Sequence, residues 1–147
     1  MQDKKRNIYQ IARTDKGITQ EKAAELLCVS VESIRAYESG RTVPPNDIVC
    51  AMIEVYGTQY LAYQHLMHTS GPAQLCLPPV QLKDLLAAMA RLQKEVDDFL
   101  PCRDELWQIT YKGVIADKDQ PRYEAIMSEL DDIVAAVMSL KYAKQRD

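Results

Sequence analysis

Four cysteines and two histidines are the residues of this 147-residue chain best suited to nucleophilic, redox or metal chemistry. Cys28, Cys50, Cys76 and Cys102 lie 22, 26 and 26 residues apart, with no Cys-x-x-Cys pair. That spacing suits neither a zinc clamp nor a disulfide framework, and it predicts reduced thiols in a cytoplasmic protein. His65 and His68 are three apart on an expected helix, close enough to share a metal ion. No cysteine or carboxylate near them in sequence completes four ligands, so they read as solvated or partly buried side chains. Asp117-Lys118-Asp119-Gln120 lacks the alternating oxygen ligands, the central Gly and the closing Glu of a calcium loop, and reads as a turn between helices. Trp107, Tyr111, Tyr123 and Tyr142 fit core or interface positions better than an effector pocket. No Gly-rich phosphate loop and no Ser/His/Asp set is present. The expectation is a protein that is not an enzyme, with no catalytic residue, no metal and no cofactor.

The composition agrees with a binding protein built on an ordinary core. Apolar residues make up 47% and charged residues 27%, which excludes disordered and fibrous classes. No run approaches the ~18 apolar residues of a membrane span. The opening MQDKKRNIYQ has basic residues without an apolar stretch behind them, so no secretion signal is expected. Net charge is −3. Residues 1–70 carry eight Lys/Arg against eight Asp/Glu, and residues 71–147 ten against thirteen. Bulk charge therefore does not announce a nucleic-acid ligand, and such a role would need local clustering of positive charge.

The elements that must position these residues are all helical. Ile8, Ile11 and Ala12 form an i, i+3, i+4 stripe that stops near Gly17. Thr19 is a good N-cap, with Glu21 in the first turn and Ala23, Ala24, Leu26 and Leu27 behind it. Ser30 caps the next segment, which turns Ile34 and Tyr37 inward and ends at Gly40. Pro44 and Pro45 suit the first turn of a fourth helix with Ile48, Met52, Ile53 and Val55 on the core side and Gly57 at its end. A fifth segment covers roughly 59–67. Gly71 and three prolines in TSGPAQLCLPP then mark a boundary. Beyond it Leu82, Leu85, Met89, Leu92, Val96 and Phe99 keep heptad spacing up to Pro101. A short segment around Leu106 and Ile109 follows, ending at Gly113. A last helix, capped by Asp117 or Asp119 with Pro121 in its first turn, carries a broad apolar face from Tyr123 to Leu140. The division expected is a domain at 1–70, a linker at 71–79 and a helical module at 80–147.

The pair at 19–27 and 30–39, two short helices joined by Cys28-Val29, is the arrangement of a helix-turn-helix. Residues 19–41, TQEKAAELLCVSVESIRAYESGR, strongly resemble the Cro-like, xenobiotic-response-element (XRE) type of regulator through Gln20, Ala24, Leu27, Ser30, Ile34, Tyr37, Glu38 and Gly40. VPPNDIVCAMIEVYG resembles the family's fourth helix, and the likeness covers about residues 7–67. It implies an all-α chain: a five-helix lambda-repressor-like DNA-binding domain followed by a small helical bundle or hairpin. It also implies that the second helix of the pair enters the major groove. Val31, Glu32 and Ala36 then fall where the family reads base edges, with Ser33 and Arg35 beside them. Glu32 can accept from a cytosine amino group, Val31 or Ala36 can meet a thymine methyl, and Arg35 can take guanine or a phosphate. Gln20 falls where the family uses a helix N-terminus and a Gln side chain on the DNA backbone, Ser30, which caps the second helix, counts among the DNA-binding residues, and Lys22, Arg41 and the run Lys4-Lys5-Arg6 are further phosphate candidates. Glu38 reads as a buried ion pair or cap.

The function expected is sequence-specific binding of double-stranded DNA by a transcriptional regulator. Repression by a homodimer joined through the C-terminal helices is the expected mode. The alternative is an interaction module, an antitoxin or adaptor, whose C-terminal helices hold a protein partner with weak or no DNA binding.

Overall fold

Each short segment of the N-terminal half stops because a residue at its end satisfies the backbone in another way. The computed structural model describes residues 7–144, which form nine α-helices, two 3-10 turns and no strand. The chain divides into two compact units, Met1–Leu75 and Cys76–Asp147.

In the first unit, α1 (Ile8–Asp15), α2 (Gln20–Leu26), α3 (Val31–Glu38), α4 (Asn46–Tyr56) and α5 (Tyr60–Thr69) surround one core. The Asn7, Thr19 and Ser30 side chains accept from Gln10, Lys22 and Ser33 amides and so satisfy donors at the starts of α1, α2 and α3. The ends of α2 and α3 share one solution. After α3, Gly40 at φ 74° donates to the Tyr37 carbonyl and Arg41 to that of Ala36. After α2 the same pattern runs through Cys28 and Val29, with Cys28 at φ 54° where glycine is the easy residue. That left-handed residue makes the turn between the two helices tight.

Ala23, Ala24, Leu27, Ile34, Tyr37, Val49, Met52 and Leu61 make up most of this core. Ala23 is fully covered and Ala24 nearly so, which lets α2 and α3 cross closely. Leu26 is 47% exposed, because Leu27 occupies the inward position at the end of α2. The fourth helix begins one residue later than the prolines suggest, with Pro45 as its N-cap. Its buried side is Val49, Met52 and Tyr56, and Ile48, Ile53 and Val55 pack at the margins. His65 is buried, not solvated: its Nδ1 lies 2.8 Å from the Tyr9 hydroxyl and its Nε2 3.1 Å from Asn46 Oδ1, which ties α5 to α1 and α4. Burial and then the neighbouring His68 push the His65 pKa down.

The stretch expected as a linker is partly helical, because Gly71–Cys76 forms a short helix, α6. The Ser70 hydroxyl oxygen accepts from the Ala73 amide, which starts that turn before Pro78 and Pro79 end it.

In the second unit, α7 (Leu85–Phe99) packs on the long α9 (Gln120–Tyr142), with α8 (Arg103–Thr110) between them in sequence. The heptad seam is only partly what this pair buries, since its second half, Leu92, Val96 and Phe99, is half-buried. The covered residues are small (Ala88, Ala135, Ala136 and Ser139) beside Ile126 and Val80, whereas Leu85, Met89, Val134 and Val137 are 41–47% exposed. Small side chains let the two backbones approach, and the larger ones are carried to the margins. The Ser139 hydroxyl donates to the Gln81 carbonyl at 2.8 Å, fastening the segment before α7 to the end of α9. Arg122 bridges to Glu105 at 2.7 Å, joining α9 to α8 and holding the Glu105 pKa below its ordinary value.

Candidate nucleic-acid interface

The site grows from a buried charge pair. Arg13 on α1 donates through Nε to Glu38 Oε1 at 2.5 Å and through Nη2 to Oε2 at 3.0 Å, and its Nη1 reaches the Ile18 carbonyl at 2.6 Å. The two side chains are only 9% and 6% exposed. A guanidinium in such a fork is held in one geometry. The hydrogen bond to Glu38 raises the Arg13 pKa further, so the guanidinium keeps its charge at any ordinary pH. Glu38 thus serves the buried ion pair, as its sequence context suggests.

Glu38 Oε2 also accepts from Gln20 Nε2 at 2.8 Å. With its amide group fixed on that side, Gln20 offers Oε1 to Arg35 Nε at 3.4 Å. Arg35 in turn lies 4.0 Å from Glu21. The line Arg13, Glu38, Gln20, Arg35, Glu21 runs from the interior to the exposed side of α3 and passes through α1, α2 and α3. Glu21 is held below its ordinary pKa by a backbone amide and the Thr19 hydroxyl at the start of α2, with Arg35 adding to the effect.

The residues singled out from the sequence gather at the α2–α3 turn and along α3. Ser30 caps α3, and its hydroxyl lies 2.8 Å from that of Ser33, which is half-buried. Glu32 and Arg35 are exposed; Val31 and Ala36 are half-buried. Val31 packs against the core beside Val29, so the fully outward part of α3 is narrower than the sequence suggests. Arg41, just past the Gly40 turn, forms an ion pair with Glu32. Lys22 pairs with Glu25 at 2.9 Å, one turn along α2. Lys4, Lys5 and Arg6 lie outside the described residues. Glu21 and Glu25 were not apparent as partners, since their exposed positions on α2 read only as helix-start charge and solvated surface. Val43, 54% exposed two residues beyond Arg41, gave no signal either.

A capped, exposed helix preceded by a short helix and a tight turn is a helix-turn-helix, a form whose second helix fits the major groove. Residues 10–61, 52 of the 147, match the family model described as Helix-turn-helix. That match supports an XRE-type helix-turn-helix in the N-terminal unit, a type of domain found in DNA-binding regulators. No curated protein and no solved structure matches the chain. Among the described residues no helix is long and apolar enough to cross a membrane, and no three His, Cys, Asp or Glu side chains gather as a metal site.

Proposed function

We propose that the protein is a cytoplasmic transcriptional regulator that binds a specific duplex DNA site and represses by occupying a promoter. The observation that carries this reading is the exposed face of α3, with Glu32 and Arg35 outward, Arg41 at its end and Gln20 braced at the start of α2. Glu32 and Arg35 read base edges, with Val31, Ser33 and Ala36 alongside. Gln20, Lys22, Ser30 and Arg41 hold phosphates. The test is selection of binding sites from random duplexes by the full chain and by the Glu32→Ala/Arg35→Ala variant. The variant is expected to select a different sequence, at a cost of ~1–3 kcal/mol for each base edge it no longer reads. Selection of the same site with the same affinity overturns the assignment of α3.

One recognition helix specifies few base pairs, so the active form is a two-fold dimer on paired half-sites. The C-terminal module, residues 80–147 beyond the 71–79 connection, supplies the dimer interface. Its half-exposed Leu85, Met89, Val134 and Val137 support that role. Light scattering is expected to give a dimer for the full chain and a monomer for residues 1–70. A monomeric full chain moves these helices to a protein partner. An adaptor or antitoxin role is favoured by one observation: Lys22, Arg35 and Arg41 each already face a carboxylate of their own chain. Co-purification with another protein and indifference to DNA would establish it.

A further inference from the structure

We infer that Glu32 and Arg41 act as a coupled pair, in which Arg41 is freed for a phosphate only where a cytosine amino group takes its place on Glu32. The inference rests on the DNA-binding reading above and assigns the two residues one joint role in discrimination. Their ion pair is the starting point. Both side chains are largely exposed, Arg41 at 62% and Glu32 at 65%, so the pair is weak and exchanges readily for other partners. An ionised carboxylate has only acceptor capacity. The groups it meets in a major groove are mostly acceptors as well: phosphate oxygens, purine N7, guanine O6 and thymine O4. Amino groups are the exceptions, and cytosine N4 is the one a Glu suits.

Two outcomes follow from this chemistry. On a duplex with cytosine at the facing position, Glu32 keeps a donor when Arg41 leaves, and Arg41 gains a phosphate. With guanine or thymine at that position either Arg41 stays on Glu32 and never reaches the DNA backbone, or Glu32 is left among acceptors, and adenine offers its N6 donor only beside the acceptor N7. The rest of the face gives non-specific DNA little compensation. Lys22 and Arg35 have their own carboxylate neighbours, Glu25 at 2.9 Å and Glu21 at 4.0 Å. Residues 1–70 carry eight Lys/Arg against eight Asp/Glu, so no net positive charge of this unit draws phosphates. Discrimination here comes from keeping the cations occupied until the right base edge releases one.

The test uses the full chain, its selected site and a scrambled duplex, titrated between about 50 and 200 mM salt. Glu32→Gln is expected to lose the preference for cytosine at one position, a change of roughly five- to a hundredfold between bases. It is also expected to bind the scrambled duplex more tightly, with a salt slope steeper by about 0.9, the signature of one further phosphate neutralised. In Glu32→Gln/Arg41→Ala the slope is expected to return to the wild-type value or below. Glu54→Gln on α4 removes the same charge from an exposed residue outside this face, and is expected to leave slope and preference unchanged. An unchanged slope and preference in Glu32→Gln, with wild type binding normally, overturns the coupled pair. So does an equal effect of Glu54→Gln, which would reduce the matter to net charge. Failure of the wild type to bind any duplex at low salt overturns the DNA-binding reading itself, and the pair's role with it.

Discussion

Removing the Glu38 carboxylate is the most demanding perturbation of the N-terminal unit. In Glu38→Ala the Arg13 guanidinium keeps the Ile18 carbonyl and loses both carboxylate bonds, at 2.5 and 3.0 Å, in a place where its side chain is only 9% exposed. Gln20 loses its acceptor at 2.8 Å at the same time. Breaking a buried pair from one side costs about 3–5 kcal/mol, because the remaining charge is stranded out of water. Total stability for a domain is of order 5–15 kcal/mol, so much of it is expected to go. At about 4–8 °C per kcal/mol for a domain of this size, the melting temperature falls by more than about ten degrees. Removing both charges tests the cause. Arg13→Met/Glu38→Leu replaces the pair with apolar groups of similar volume and is expected to recover most of the loss, giving a coupling of at least ~2 kcal/mol in the double-mutant cycle. Hydrogen exchange of the α2 and α3 amides in the full chain reports on this unit by itself. A loss under ~1 kcal/mol for Glu38→Ala, or a double variant no better than the single, would refute the stranded-charge argument.

Three further outcomes are expected. Cys28→Gly relieves left-handed strain of ~1–2 kcal/mol and costs ~0.5–1 kcal/mol in added chain entropy, so the exposed turn should gain up to about 1.5 kcal/mol in thermal unfolding; a decrease contradicts it. His65 has a folded pKa below its unfolded value, so the native state favours the neutral ring. Its stability is complete above the unfolded value of about 6.5 and falls as pH drops through 6.5 toward the folded pKa. Urea midpoints at about pH 7.5 and 5.0 should separate more for wild type than for His65→Gln, and equal separations dismiss the linkage. Deleting Lys4, Lys5 and Arg6 should weaken binding to all duplexes alike and flatten the salt slope by ~0.9 for each phosphate the run neutralises; an unchanged slope means it neutralises none.

The local rules of the chain determined a good deal. Thr19 and Ser30 cap α2 and α3 in the structure as their types require, and Gly40 ends α3, because caps and left-handed ends depend on neighbours within a few residues. Ala24, Leu27, Ile34 and Tyr37 face the core by helical spacing and by the resemblance they carry. Pairing was beyond local reading. Arg13 and Glu38 are 25 residues apart, and nothing in spacing says that α1 and α3 bring them together in a buried fork. Glu21 with Arg35 and Glu32 with Arg41 were equally hidden, since the first pair depends on how α2 and α3 meet and the second on how the turn after Gly40 folds back along α3. The second unit shows the same division. Its heptad pattern marks α7 as amphipathic, but the stripe that α9 covers is centred on Ala88. Which flank of a broad apolar face is buried depends on how closely two backbones can approach. Small side chains on both helices decide that, and they do so only in three dimensions.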